Sequence, residues 1–262
     1  MPDLRIAVLG VGMMGAFHAD ALSSRIRGAR VTVVSDFFAD KAAEVADRLG
    51  ARVEADPIAA IRADDVDAVL IATPGRAHDE HVNACLDRGV PVLCEKPLTT
   101  DIDSAYAIVQ KEHALGRQLI QVGFMRRFDA EYVALKKMIT DGELGNPLLV
   151  HCTHRNPAVP DIFTSEYMIR DSVVHEVDVA RFLLDEEITS VQVIKGAAIP
   201  ALDSAMPGWV EVPASVPPPG WLDPSACPGP VPAGPGRDFI MTGTLPSVPS
   251  AATPASQTAT AA

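Results

Sequence analysis

No run of apolar residues in the chain is longer than a strand, so no segment could span a bilayer as a helix. The start, Met1-Pro2-Asp3-Leu4-Arg5, lacks the basic region, apolar stretch and small-residue cleavage site of a signal peptide, and a cytoplasmic location is the expectation. Basic residues are outnumbered, 22 Lys and Arg against 34 Asp and Glu, a net charge of −12. That balance argues against a nucleic-acid surface, which depends on clustered cations. The four cysteines, Cys85, Cys94, Cys152 and Cys227, form no CxxC pair, which argues against a zinc ribbon or redox motif and for idle thiols in a reducing compartment. His175-Glu176-x-Asp178 is not HExxH, so zinc-protease chemistry does not follow. There is no internal repeat.

What remains is an ordinary globular composition. The chain has 262 residues, 48% hydrophobic and 21% charged, enough for one large or two modest domains. Strand patterns at Leu4 to Leu9, Ala29 to Ser35, Asp67 to Ala72, Pro91 to Cys94 and Gln118 to Val122 alternate with helical patterns. The helices are expected from the first glycine cluster to about Arg27, then at Lys41 to Leu49, His78 to Arg88 and Ile102 to Leu115. Near-continuous apolar strands between helices imply right-handed crossovers and a doubly wound parallel sheet. The fold class expected is therefore α/β: an N-terminal Rossmann domain over 1-122, then the start of an α+β domain over 123-195. In that second part Asp129 to Ile139 and Asp171 to Leu184 read as helices, Leu148 to Thr153 and Thr189 to Ile194 as strands.

From about Gly196 the composition changes. Of 22 prolines, 14 lie at or beyond Pro200, and no lysine follows Lys195. Segment 196-262 is expected to be a disordered Pro/Ala-rich tail without strand or helix periodicity.

Gly10-x-Gly12-x-x-Gly15 sits between a strand and a helix. The first glycine allows the tight turn, the second a close backbone approach to a pyrophosphate, and the third close packing of helix on strand. The helix N-terminus, with Met13 and Met14, offers free N–H groups. An acid follows about twenty residues on, Asp36, placed to accept hydrogen bonds from ribose hydroxyls and repel a 2′-phosphate. NAD is favoured; Ser35 before the acid keeps NADP as the lesser alternative. A glycine-rich turn without function is the competing reading.

Glu95-Lys96-Pro97 lies at the carboxyl end of a strand, the sheet edge where ligands bind. A surface lysine before a proline turn reads equally well. Asp171, His175 and Asp178 are spaced i, i+4, i+7 and would share one helical face. A histidine between two acids is poised for proton transfer, and a solvated face with a salt-bridged histidine is the alternative. His151 and His154 in a strand would face opposite ways, against a shared metal site, and no metal is expected. His18, His78, His81 and His113 read as structural, with no partner set; the acidic runs Asp64-Asp65 and Asp185-Glu186-Glu187 read as solvated ends of elements.

Gly10-x-Gly12-x-x-Gly15, Ala72-Thr73-Pro74, Glu95-Lys96-Pro97, Gly123-Phe124-Met125-Arg126-Arg127-Phe128-Asp129, His154-Arg155-Asn156-Pro157 and Asp171-x-x-x-His175 together resemble the Gfo/Idh/MocA oxidoreductases, over about residues 3 to 195. The resemblance, nearest to the family's inositol-oxidising members, implies NAD-dependent oxidation of myo-inositol, or a related cyclitol or sugar, at a secondary hydroxyl. It implies that Thr73, Pro74, Glu95 and Lys96 join Gly10, Gly12, Met13, Met14, Gly15 and Asp36 around the cofactor. It implies that Lys96 hydrogen-bonds the reacting hydroxyl, that His175 is the base, and that Asp171 orients His175. Arg126, His154 and Asp178 would contact the other hydroxyls. Members of the family are usually homo-oligomeric, commonly tetramers. They also continue past the position of Lys195 into long strands, and Gly196 to Ala262 does not resemble those strands. A shifted reading frame in a GC-rich gene yields such text. The second domain is then expected to be incomplete, its Asp171 to Leu184 helix short of packing partners, and activity and assembly impaired. Another sugar dehydrogenase of the family, or a catalytically dead NAD-binding protein, are the competing functions.

Overall fold

The computed structural model describes residues 3–154, 168–193, 210–212 and 239–241. Two compact units divide the chain at Asp129/Ala130, rather than at 122. The segment after 122 stays with the first sheet because the Gly123 N–H donates to the Cys94 carbonyl at 2.7 Å.

The first unit contains six strands: β1 (Leu4–Leu9), β2 (Ala29–Ser35), β3 (Arg52–Val53), β4 (Ala68–Ile71), β5 (Val92–Cys94) and β6 (Ile120–Val122). All pair in parallel in the order β3-β2-β1-β4-β5-β6. Five helices connect them: α1 (Met13–Ser24), α2 (Ala39–Leu49), α3 (Pro57–Arg62), α4 (His78–Arg88) and α5 (Ile102–Ala114). Neighbouring strand residues point to opposite faces, and the sheet buries both. Ile6 and Val8 join Ala19 and Leu22 of α1 and Ala42 and Val45 of α2 in one core. Ala7 and Leu9 join Ile61 of α3, Val82 and Leu86 of α4 and Ile108 of α5 in the other. The expected doubly wound sheet is thus present, and its strand order reverses between β1 and β4, the place where such sheets bind ligands.

Helix ends follow local chemistry. Asp56 caps α3, its carboxylate accepting the Ile58 N–H at 2.8 Å, with Pro57 opening the helix. Asp101 caps α5 through the Ser104 N–H at 2.9 Å. Gly50 and Gly89 end α2 and α4 in the left-handed region, at φ 66° and 75°.

The second unit contains α6 (Ala130–Thr140), a π-helical turn (Met168–Val173) and α7 (Val174–Leu184). It also contains β7 (Val191–Val193), β8 (Val210–Val212) and β9 (Phe239–Met241), with β8 antiparallel and β9 parallel to β7. Three expectations are corrected here. Leu148 to Thr153 is not a strand, because no described residue offers it a ladder to join, and Leu148 and Leu149 are exposed. β8 and β9 fall inside the segment expected to lack strands; the rest of 196-262 lies outside the described residues. Val179, Ala180 and Leu183 of α7 are buried rather than short of partners. Among the described residues no helix is long and apolar enough to cross a membrane.

Candidate active site

The chain leaves β1 at Leu9 and turns through Gly10, whose N–H donates to the Ser35 carbonyl at 2.7 Å. Gly10 has φ +82°, and a Cβ there would sit 2.7 Å from the backbone of Ala72 and Thr73. A Cβ on Gly15 would overlap the Gly10 carbonyl oxygen. Around Gly12, by contrast, the space a Cβ would take is open. The three glycines therefore do different work: two let backbones touch, and one leaves room above the helix end. No side chain caps the start of α1, and its first turn carries no acid. The N–H groups there, Met13 and Met14 included, remain available to an anion, which the positive end of the helix favours.

Asp36 stands directly after β2. One carboxylate oxygen accepts the Val11 N–H at 2.7 Å, and the other accepts the Phe38 N–H at 2.8 Å. The acid is thereby fixed against the glycine turn, with lone pairs left on both oxygens for further donors. Phe37 beside it is 95% exposed. Lys41 lies over the Phe38 ring, 4.9 Å from Nζ to the centroid. This donor and acceptor set fits an adenine dinucleotide: open N–H groups for the pyrophosphate, an oriented carboxylate for the ribose.

The Thr73-Pro74 loop after β4 and the Glu95-Lys96-Pro97 turn after β5 are braced by histidines. His78 is 1% exposed, with Nδ1 2.7 Å from the Pro97 carbonyl and Nε2 2.7 Å from the Thr73 carbonyl. His81 Nδ1 lies 3.3 Å from Thr73 Oγ1; burial lowers its basicity. The Lys96–Pro97 peptide is cis. Glu95 reaches back to α1, where His18 Nε2 is 2.7 Å from its Oε1, and it also accepts the Lys96 N–H at 3.3 Å. Burial pushes the Glu95 carboxyl up, but the His18 hydrogen bond, the charges of His18 and Lys96 and the Lys96 N–H together hold it below the usual carboxylate range. Gly123 lies close against it, since a Cβ there would come 3.0 Å from the carboxyl carbon and the carboxylate would have to shift by a few tenths of an ångström. His18, His78 and His81, expected to have no partner set, do have partners. Those of His18 and His78 across the site, Glu95 and Pro97, lie 77 and 19 residues away in sequence, which no local pattern shows. His113, near the end of α5, is exposed. Lys96 and Arg126 are both half-buried, Arg126 in the 3-10 turn Met125–Phe128.

The second unit holds the other candidates. His175 and Asp178 lie on α7 and are buried, at 7% and 5% exposure. Asp171 lies in the preceding π-helical turn and is exposed, so the unbroken α-helix expected from Asp171 holds from Val174 only. The wider π turn changes the angle between successive residues, and with it the position of Asp171 relative to α7. Glu176 stands outside the sequence motifs that mark the site. It is 6% exposed and accepts from His154 Nδ1, which lies 3.2 and 3.4 Å from its two oxygens. The rings of His154 and His175 are neighbours, with centroids 6.3 Å apart. Arg155, Asn156 and Pro157 lie outside the described residues. No cluster of three or more metal-ligating side chains occurs among the described residues.

The chain is similar to known proteins over most of its length. Residues 4–124 match the oxidoreductase family with NAD-binding Rossmann fold of the GFO/IDH/MocA group, and residues 132–216 match the GFO/IDH/MocA C-terminal domain. The chain is 64% identical over 197 residues to an inositol 2-dehydrogenase of Rhodococcus erythropolis, covering 75% of this chain and 57% of that protein. It is 58% identical over 199 residues to an inositol 2-dehydrogenase of Rhodococcus jostii, covering 76% and 54%. It thus spans little more than half the length of these relatives. Among solved structures it is similar to a myo-inositol dehydrogenase of Lactobacillus casei in complex with NAD(H) and myo-inositol, with a TM-score of 0.71, 36% identity, and coverage of 75% of this chain and 59% of that one.

Proposed function

Because this chain belongs to the GFO/IDH/MocA oxidoreductase family, we propose that it binds NAD(H) and oxidises a cyclitol, myo-inositol first, at a secondary hydroxyl to the ketone. The observation that carries the reading is the site built around Gly10, Gly12, Gly15 and Asp36, where open helix N–H groups and a backbone-held carboxylate fit a dinucleotide. The likeness to inositol dehydrogenases supports the substrate class. NAD, when bound, supplies the hydride acceptor. Lys96 donates a hydrogen bond to the reacting hydroxyl oxygen, and His175 takes its proton. Asp171 orients His175, while Arg126, His154 and Asp178 bind further hydroxyls; a neutral polyol is held by many such bonds rather than by charge.

The test is NADH formation at 340 nm by the full chain with NAD and a panel of polyols. Turnover of myo-inositol is expected. Turnover confined to another sugar would move the substrate within the family, and NADH binding without any turnover would overturn the enzymatic reading. The impairment expected from the tail is read from kcat in the same assay.

Preference for NAD over NADP follows from Asp36, since its carboxylate attracts ribose hydroxyls and repels a 2′-phosphate. Asp36→Ser is expected to weaken NAD binding about tenfold to a hundredfold, the worth of a hydrogen bond to a charged group, and to narrow the gap between the two cofactors. Calorimetry that shows tighter NADP binding by the unmodified chain would refute the assignment.

A further inference from the structure

A carboxylate buried to 6% exposure is costly unless it is hydrogen-bonded. Glu176 has His154 Nδ1 within 3.2 and 3.4 Å of its two oxygens. A carboxylate can only accept, so the nitrogen facing it carries the proton. An imidazole with its proton on Nδ1 has a lone pair on Nε2, and the ring acts there as an acceptor. A free histidine would hold the opposite tautomer in larger part. Glu176 lies in the first turn of α7, next in sequence to His175, and the His154 ring is a neighbour of the His175 ring. The same short stretch of helix therefore carries the residue read as the base and the group that sets the character of a second imidazole beside it.

We infer that Glu176 is a positioning residue: it holds His154 in the Nδ1–H tautomer, so that Nε2 accepts a hydrogen bond from a substrate hydroxyl. The inference rests on the proposed function for the identity of that donor, and on the Glu176–His154 geometry for the tautomer. It gives a selection rule. His154 discriminates in favour of a hydroxyl, which donates, and against a carbonyl or ether oxygen at the same place, which cannot.

The test uses the full chain labelled with 15N. Two-bond 1H–15N correlation spectra separate protonated from unprotonated ring nitrogens, and the His154 signals are assigned by their loss in His154→Gln. Above the pH at which the ring is protonated, unmodified His154 is expected to show a protonated Nδ1 and an unprotonated Nε2. Glu176→Ala is expected to reverse this. Glu176→Gln preserves shape and can present either a donor or an acceptor, so it should give a mixture of both tautomers, and it keeps the test decisive if the alanine variant does not fold. A protonated Nε2 in the unmodified chain, or a tautomer unchanged by both substitutions, overturns the inference. In steady-state assays the KM for the cyclitol should rise about threefold to tenfold in Glu176→Gln, the worth of one ordinary hydrogen bond, with a smaller change in kcat and none in the KM for NAD. The tautomer is read without substrate. A chain that turns over no cyclitol would therefore overturn the proposed function and leave this inference to stand or fall on the spectrum.

Discussion

His175→Ala and Lys96→Ala are each expected to lower kcat about 10²–10⁴-fold, the usual worth of a positioned acid or base, while NADH still binds with nearly unchanged affinity. The separation follows from where the groups sit. On the proposed reading most of the dinucleotide is held at the glycine turn, the open end of α1 and Asp36, whose local geometry does not depend on the side chain of Lys96 or His175. Lys96 follows β5 in a turn whose backbone is held independently, by His78 at the Pro97 carbonyl and by Glu95 at the Lys96 N–H. Removing the Lys96 side chain therefore leaves the turn standing. His175 is buried on α7 in the second unit, and its loss should leave the first unit intact. Fluorescence titration with NADH and stopped-flow absorbance at 340 nm report the two effects separately. Loss of NADH binding in His175→Ala would show that the residue supports the fold or the cofactor rather than the proton transfer.

The first sheet was legible because its signals are local and long. Each of the five main strands is an apolar run bounded by turn residues, and each main helix repeats at the helical period. β3 escaped notice because Arg52–Val53 has only two residues, too few for a period. α3 has only six, although Asp56-Pro57 before it is a cap followed by a first-turn proline, a signal that could have been read. The glycine turn and Asp36 were readable because spacing alone brings them together. The histidine braces were not: His18 meets Glu95, and His78 meets Pro97, only once the sheet is assembled. Glu176 shows the same limit. Nothing in its place between His175 and Asp178 marks it, whereas the fold buries it against His154. Leu148 to Thr153 has strand-like residues, yet pairing depends on a neighbour, and sequence pattern cannot supply one.

The glycines of the turn should separate folding from binding. Gly15→Ala places a methyl group on the Gly10 carbonyl oxygen and 3.3 Å from the Ala72 Cβ. The Gly10 backbone cannot yield easily, because its φ of +82° and its hydrogen bond to Ser35 fix it at the end of β1. The strain is relieved only by moving α1 away from the sheet. That displacement loosens Ala19 and Leu22 from the core they share with Ile6, Val8 and Leu70. Overpacking of this kind costs about 1–3 kcal/mol, a large part of a total stability of about 5–15 kcal/mol. Gly15→Ala should therefore lower the melting temperature by roughly 4–10 °C and weaken NADH binding as a consequence of the shifted helix. Gly12→Ala differs in kind. No protein atom lies within 4 Å of the new methyl group, and the backbone of Gly12, at φ −64°, is open to any residue. The melting temperature of the unliganded chain should stay where it is. The methyl group instead projects into the space where the dinucleotide backbone must approach, so the same overpacking cost falls on binding and weakens NADH about tenfold to a hundredfold. Thermal melts without ligand, paired with fluorescence titrations, read both variants. If Gly12→Ala binds NADH normally, the open space beside Gly12 is not where the cofactor lies; if Gly15→Ala melts normally, α1 and β1 are not in the contact that the glycine allows.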